Sequence, residues 1–470
     1  MERWPGKTRP GWIRRLPRSS TRWWRNTRKS RTFKPKPSSH HQNSIPSSMQ
    51  RFFFVLFSTI LVSFSGFVQA QTDTLSESRE FLARGGLPNF FQKVQKGGPV
   101  SIAYFGGSIT EAGNGWREQS LRWFQQQYPK ANLTHINAAI GGTGSDLGVF
   151  RLNQHVLVHK PDLIFVEFAV NDGGQQPAKI HKAMEGIVRQ IWRQNRRTDI
   201  CFVYTLNAPM APALLAHRMP NSVRAMEEIA NQYGIPSVHM GLEVIRLDRQ
   251  GKLVWGGKKE DFPDKTVFAP DKTHPYSDTG HRLYVEALSK AMQQIAAVGR
   301  PGSHAVPKPF VSDNWEDAQM IPVQSLTRQG DWQELTPATD TVARQLRNRF
   351  DYLLKSNQPG ASIQFKLKGT MAGLYDVIGP GCGQYAVTVD GAPGPLFPRF
   401  DSYATYYRSH YFFLPTLDAG THTITLTVSP EQLDKAAILK NRNQTITDPR
   451  RYAENACYAG QLLIIGKLEK

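Results

Sequence analysis

Residues 100–111 read Val-Ser-Ile-Ala-Tyr-Phe-Gly-Gly-Ser-Ile-Thr-Glu. Val100 to Tyr104 are mostly apolar and predict a short buried strand. Phe105 leads into Gly106 and Gly107, which let the backbone turn sharply and approach a ligand with no Cβ in the way. Ser108 follows at once, and Ile109, Thr110 and Glu111 open a loop before a helix. A serine on the turn that leaves a strand is where an α/β protein exposes a nucleophile. Gly-Gly-Ser on its own is equally a plain turn, so its meaning depends on partners elsewhere in the chain.

Outward from this stretch the pattern repeats. Strand-like runs at 100–104, 133–139, 162–168, 199–205 and 235–240 alternate with helix-like runs at about 116–128, 145–158, 176–196, 221–233 and 277–296. Short apolar strands between amphipathic helices predict a parallel sheet covered on both faces, with ligands beyond the carboxyl ends of its strands. This first domain is expected over 79–300, followed by a Pro/Gly-rich linker at 301–312. Over 313–470 the period changes to two: Ile363, Phe365 and Leu367, then Tyr385, Val387 and Val389, then Ile424, Leu426 and Val428 alternate with polar neighbours. Such runs, separated by turns such as Asp390-Gly391, predict an antiparallel β-sandwich. Trp315, Trp332, Tyr403, Tyr406 and Tyr407 are expected mainly in its core, the alternative being aromatic surfaces for sugars.

The chain has 470 residues and a net charge of +20. Residues 1–48 hold 13 Lys/Arg against Glu2 alone, and the 400 residues after position 70 carry only about +7. That distribution takes most of the support from a nucleic-acid partner, and none is expected, a nucleic-acid-binding tail being only the third reading of residues 1–48. The basic segment 1–48, rich in Arg, Ser, Pro and Trp, is expected to be disordered. From Met49 the order is Arg51, an uncharged apolar run Phe52–Phe67, then Val68-Gln-Ala70, the layout of a signal peptide at 49–70 with cleavage near Ala70. Translation is therefore expected to start at Met49, and the product to be exported, periplasmic or secreted. Membrane contact is expected only through that segment, as a signal peptide or an uncleaved anchor. The three cysteines are too few and scattered for a zinc site; Cys201 reads as a buried strand residue, and Cys382 and Cys457 are candidates to pair in an oxidising compartment.

Four segments of the first domain carry chemistry: Gly106-Gly-Ser108, the glycine-rich turn Asn137–Ser145, Phe168-Ala-Val-Asn-Asp172, and Asp271-Lys-Thr-His274 before the last helix. An Asp three residues before a His can accept its Nδ1 proton, leaving Nε2 free as a base. A serine hydroxyl needs such a base. A developing oxyanion needs donors, available from the Ser108 N–H, a Gly141 or Gly142 N–H and the Asn171 amide. Gly142-Thr-Gly144 does not make a dinucleotide fingerprint, because the third glycine, Gly148, comes one position late. A Gly-x-Ser-x-Gly elbow is excluded by Thr110. His135, His155, His159 and His181 form no metal-ligand cluster, and no metal or organic cofactor is expected.

In the order, spacing and strand context of these four blocks the chain resembles the SGNH (GDSL-type) hydrolase family over roughly 98–298. The resemblance implies a three-layer α/β/α, flavodoxin-like domain. It also implies roles: Ser108 as nucleophile and first oxyanion donor, Gly142 as backbone donor, Asn171 as side-chain donor, Asp271 as orienting carboxylate and His274 as base. Two positions depart from the family pattern. Gly107 replaces an Asp in the first block, and Ala169 replaces a Gly in the third. If a carboxylate normally steadies the nucleophile turn, another group must do so here. Gly107, Glu111 and Trp116 are the expected pocket residues. The function implied is an exported serine esterase acting on O-acyl, foremost O-acetyl, groups of carbohydrate. An acyltransferase of the same fold and a sugar-binding protein with a dead hydrolase domain are the alternatives.

Overall fold

A computed structural model describes residues 79–469. The expected basic segment at 1–48 and signal peptide at 49–70 lie outside the described residues. The described chain begins with β1 (Phe81–Leu82), α1 (Pro88–Lys96), β2 (Gly98–Gly106), the single turn α2 (Ser108–Glu111), α3 (Trp116–Gln127), β3 (Ala131–Asn137) and α4 (Ser145–His155). There follow β4 (Leu163–Glu167), α5 (Pro177–Gln194), β5 (Asp199–Tyr204), α6 (Ala211–Leu215), α7 (Asn221–Tyr233), β6 (Ser237–His239) and α8 (Leu242–Arg249). A parallel pair, β7 (Leu253–Gly256) and β8 (Thr266–Ala269), precedes α9 (Gly280–Ile295).

The main sheet has six strands in the order β1-β6-β5-β4-β2-β3, parallel except for β1. From β2 the chain steps outward to β3, then returns across β2 to β4. Loops leaving β2 and β4 therefore diverge, and a crevice opens at their carboxyl ends. Every residue of β4 and β5 is buried, as the continuous apolar runs require of strands covered on both faces. Each such Val, Ile or Phe contributes about 1.5–3 kcal/mol relative to leaving it exposed. Helix α1 was not anticipated, yet Leu87, Phe90, Phe91 and Val94 are spaced for one helical face, and all four are buried.

Residues 301–312, which contain no helix or strand, lie against the first domain, and two fully buried carboxylates hold them there. Glu185 accepts the N–H groups of Phe310 at 2.5 Å and Val311 at 2.8 Å, and Asp199 meets His304 Nε2 at 2.7 Å. Buried carboxylates are costly unless hydrogen-bonded, so strap and domain stabilise each other.

The second domain comprises β9 (Ala318–Pro322), β10 (Thr327–Gln329), β11 (Gln333–Leu335), α10 (Thr341–Gln345), β12 (Leu353–Ser356), β13 (Ser362–Ile378) and β14 (Gln384–Val389). It continues with β15 (Ala392–Pro398), β16 (Arg408–Phe413), β17 (Gly420–Val428), α11 (Lys435–Lys440), β18 (Cys457–Ala459) and β19 (Gln461–Glu469). An eight-stranded antiparallel sheet runs β15-β14-β17-β13-β19-β9, with β10 and β16 also paired to β13, and a three-stranded sheet β11-β12-β18 completes the sandwich. Along β13, Ile363, Phe365 and Leu367 alternate with exposed neighbours, but Ala372 to Ile378 are all buried. The period of two persists there. Ala372 and Leu374 enter the sandwich core, while Tyr375 and Val377 join the core of the first domain. The second half of β13 is thus covered on both faces, and the two domains share a continuous apolar interface that includes Trp315 and Phe413.

Two sequence expectations change. Cys382 and Cys457 are both buried free thiols and do not pair. Of the aromatic residues assigned to the core, Trp315 is buried, but Tyr403 and Tyr406 stand 51% and 56% exposed. Among the described residues no helix is long and apolar enough to cross a membrane.

Candidate active site

Ser108 Oγ lies 2.9 Å from His274 Nε2, and His274 Nδ1 lies 2.6 Å from Asp271 Oδ2. The other Asp271 oxygen accepts the backbone N–H groups of Thr273 and His274. Partial burial pushes this carboxyl up, but the hydrogen bonds from His274 and Thr273 outweigh it and hold Asp271 below the usual carboxylate range. With its Nδ1–H donated to Asp271, the imidazole presents Nε2 as the acceptor for the serine proton. The loop closes through Lys272 at φ +68°, a conformation uncommon for a lysine, and the Lys272 carbonyl is held by the Ala208 N–H.

The turn that carries Ser108 has a support that the sequence did not reveal. Gly106 pairs directly with Glu167 at the end of β4. The fully buried Glu167 carboxylate accepts the hydroxyls of Thr110 (2.8 Å) and Thr205 (2.6 Å) and the Gly107 N–H. Burial pushes its carboxyl up, opposed by these three hydrogen bonds. Glu167 thus supplies, from the neighbouring strand, the carboxylate missing at position 107. The glycine has its own cause: a Cβ on Gly107 would fall 1.9 Å from Asn171 Oδ1. The Asn171 amide occupies that space, so any side chain at 107 would displace it from beside Ser108.

The glycine turn after β3 lies on the other side of the serine. A Cβ added at Gly141 would sit 3.5 Å from Ser108 Cβ. The Gly141 N–H is spent on Glu111 Oε2 at 2.7 Å, whereas the Gly142 N–H meets no acceptor among the described residues. Gly142 adopts φ +73°, which favours glycine there. Ser108, Gly142 and Asn171 therefore come together at the carboxyl edge of β2, β3 and β4.

The expected pocket residues divide. Gly107 adjoins the serine. Glu111 is not a free pocket carboxylate: it binds Gly141 and forms an ion pair with Arg349 of the second domain. Trp116 lies in the core. It is fully buried against Tyr104 and Phe165, its indole N–H donates to Thr110 Oγ1 and its backbone N–H to His281 Nδ1, because its place on the first turn of α3 faces the core. Sequence reasoning missed Glu167, Arg349 and Tyr411. Only Glu167 left a trace, as one carboxylate inside the apolar run 163–170. Among the described residues no group of His, Cys, Asp and Glu could hold a metal ion.

Residues 104–297 match the model of the GDSL-like lipase/acylhydrolase family. No curated protein matches the sequence. In structure the chain is similar to a two-domain esterase active on acetylated mannans, solved with mannopentaose (TM-score 0.64, 18% identity, 84% of this chain and 99% of that one). A second structure of a two-domain esterase active on acetylated mannans gives TM-score 0.65 at 17% identity, over 83% of this chain and 99% of that one. At this identity the likeness speaks for the fold, which extends over both domains. By the family match, the segment 104–297 is a GDSL-like lipase/acylhydrolase domain.

Proposed function

We propose that the protein is a serine esterase removing O-acyl, foremost O-acetyl, groups from carbohydrate. The observation that carries the reading is the unbroken line Ser108 Oγ, His274 Nε2, His274 Nδ1 and Asp271 Oδ2, at 2.9 and 2.6 Å. In this reading the Ser108 oxygen attacks the ester carbonyl as its proton passes to His274 Nε2. The oxyanion is met by the N–H groups of Ser108 and Gly142 and by the Asn171 amide. His274 returns the proton to the leaving alcohol; water, deprotonated in turn by His274, then attacks the acyl carbon, and His274 gives this proton back to Ser108 Oγ as the acid leaves. Asp271 holds the tautomer and stabilises the imidazolium.

The carbohydrate part rests on the shared fold of a two-domain esterase active on acetylated mannans, an argument by analogy. Export is proposed from the apolar run Phe52–Phe67 and the small residues around Ala70. The test is labelling by a fluorophosphonate together with acetate release from acetylated mannan and other acetylated glycans. Labelling and acetate release, both lost in Ser108→Ala, are expected. A folded wild-type protein that neither takes the label nor hydrolyses any ester would overturn the reading in favour of a sugar-binding protein.

A further inference from the structure

We infer that the second domain is part of the catalytic apparatus: Arg349, acting through Glu111, positions and electrically balances the glycine turn that faces the oxyanion. This rests on the esterase reading above.

Within the first domain, the turn Ile140–Ser145 is held by the Ile140 N–H, which donates to the Gly106 carbonyl at 3.0 Å, by Thr143 Oγ1, which donates to the Ile140 carbonyl at 2.8 Å, and by the Ser145 N–H, which donates to Asp172 Oδ1 at 3.0 Å. Two further ties lead to the second domain. Gly141 N–H donates to Glu111, whose other oxygen pairs with Arg349. Farther along, the Tyr411 hydroxyl of β16 donates to Asp146 Oδ1 at 2.8 Å and accepts the Gly144 N–H. Neither side chain is a loose surface group. Arg349 is followed by the buried Phe350, whose ring packs on Tyr375 at 4.7 Å, and the Arg349 backbone N–H is bonded to Leu346. Tyr411 packs against His410 and Phe413.

An ion pair this exposed, with side chains 19% and 34% accessible, contributes little to stability. Its place is what gives it consequence. Glu111 lies three residues after the nucleophile, and its Oε2 would be 2.9 Å from a Cβ on Gly141, which itself borders Ser108. A bare carboxylate there would oppose the negative charge that develops on the substrate oxygen. Arg349 cancels that charge while leaving Oε2 to fix Gly141, and hence the direction of the adjoining Gly142 N–H. Arg349 is thus a positioning residue supplied by the second domain.

The test uses the full chain, a small acetate ester and active-site titration with a fluorophosphonate. Arg349→Ala is expected to lower kcat roughly 10- to 100-fold per labelled site with KM nearly unchanged, since misplacing one donor by about 1 Å has effects of this size. Adding Glu111→Gln to it removes the uncompensated charge while keeping an acceptor for Gly141, so the double variant should be faster than Arg349→Ala alone. Arg349→Lys, which retains the charge, should stay close to wild type. A merely structural role would lower the thermal midpoint and the labelled fraction without this recovery. Normal kcat in Arg349→Ala, or a folded double variant no faster than it, overturns the inference. If Arg349→Ala does not fold, Glu111→Gln and Arg349→Lys decide it: loss of kcat in the lysine variant, equal to that of an Arg349→Gln variant, rejects the charge role. An inactive, unlabelled wild type instead rejects the esterase reading itself.

Discussion

The two sides of Ser108 are built in opposite ways. The side proposed to supply the base is one short loop: Asp271 and His274 lie three residues apart, and their side chains are each 51% exposed. The side proposed to meet the oxyanion is assembled from the ends of three strands, a buried carboxylate and residues of a second domain. Its contacts span 57 residues for Thr110–Glu167, 238 for Glu111–Arg349 and 265 for Asp146–Tyr411. A local device can be specified by a few adjacent residues and tolerates solvent. Donors that must point at a charge lasting only through the transition state have to be fixed beforehand, and that takes packing from distant parts of the chain.

The contrast can be broken most severely from the base side. His274→Ala should reduce kcat on a small acetate ester by roughly 10⁴-fold or more in a folded protein, because the serine loses its proton acceptor. Asp271→Asn should approach this loss, about 10⁴-fold, by allowing the wrong tautomer. On the oxyanion side Asn171→Ala should cost about 100- to 1,000-fold, with the thermal midpoint nearly unchanged. Gly107→Ala should have a smaller effect and add little to Asn171→Ala, since it acts by pushing that amide aside. Independent, additive losses would show that the two residues do not share the space.

The smallest expected effects are on stability and have opposite signs. Hydrogen bonds hold Asp271 below its ordinary value of 3.8, so it stabilises the fold above that pH, and this contribution is lost as pH falls. Burial, aided by the Asp146 charge and opposed by Ser145, pushes the Asp172 carboxyl up to about 7. Its contribution is present below the unfolded value near 3.8 and is lost as pH rises towards 7. Thermal midpoints measured from pH 3 to 8 should therefore fall less steeply on the acid side in Asp271→Asn, and their decline between about 4 and 7 should be shallower in Asp172→Asn. The same slope in both variants would reject the distinction.

What was legible in the sequence follows the same division. Strand-helix alternation gave the parallel sheet, because β4 and β5 need unbroken apolar runs to be buried on both faces. Asp271 and His274 were legible because their contact is local. Glu167 stood in plain view, but its role depends on β2 and β4 pairing Gly106 with it, a register that no local pattern states. Arg349 and Tyr411 left no signal, since an arginine after a short helix and a tyrosine in a strand are ordinary residues until the second domain is docked. Gly107 was legible as a departure and illegible as a necessity, which emerged only with the position of Asn171.

The strap at 301–312 bears on how such an architecture can change in evolution. A domain joined by a free tether can be exchanged, duplicated or lost as a unit. Here, cutting the gene near codon 300 would leave Glu185 without the backbone donors of Phe310 and Val311, and Asp199 without His304. It would also uncover the apolar face that meets Trp315, Tyr375 and Phe413. The two halves are therefore expected to have descended together, with substitutions on one side of the seam answered on the other, rather than to have been recombined as interchangeable modules.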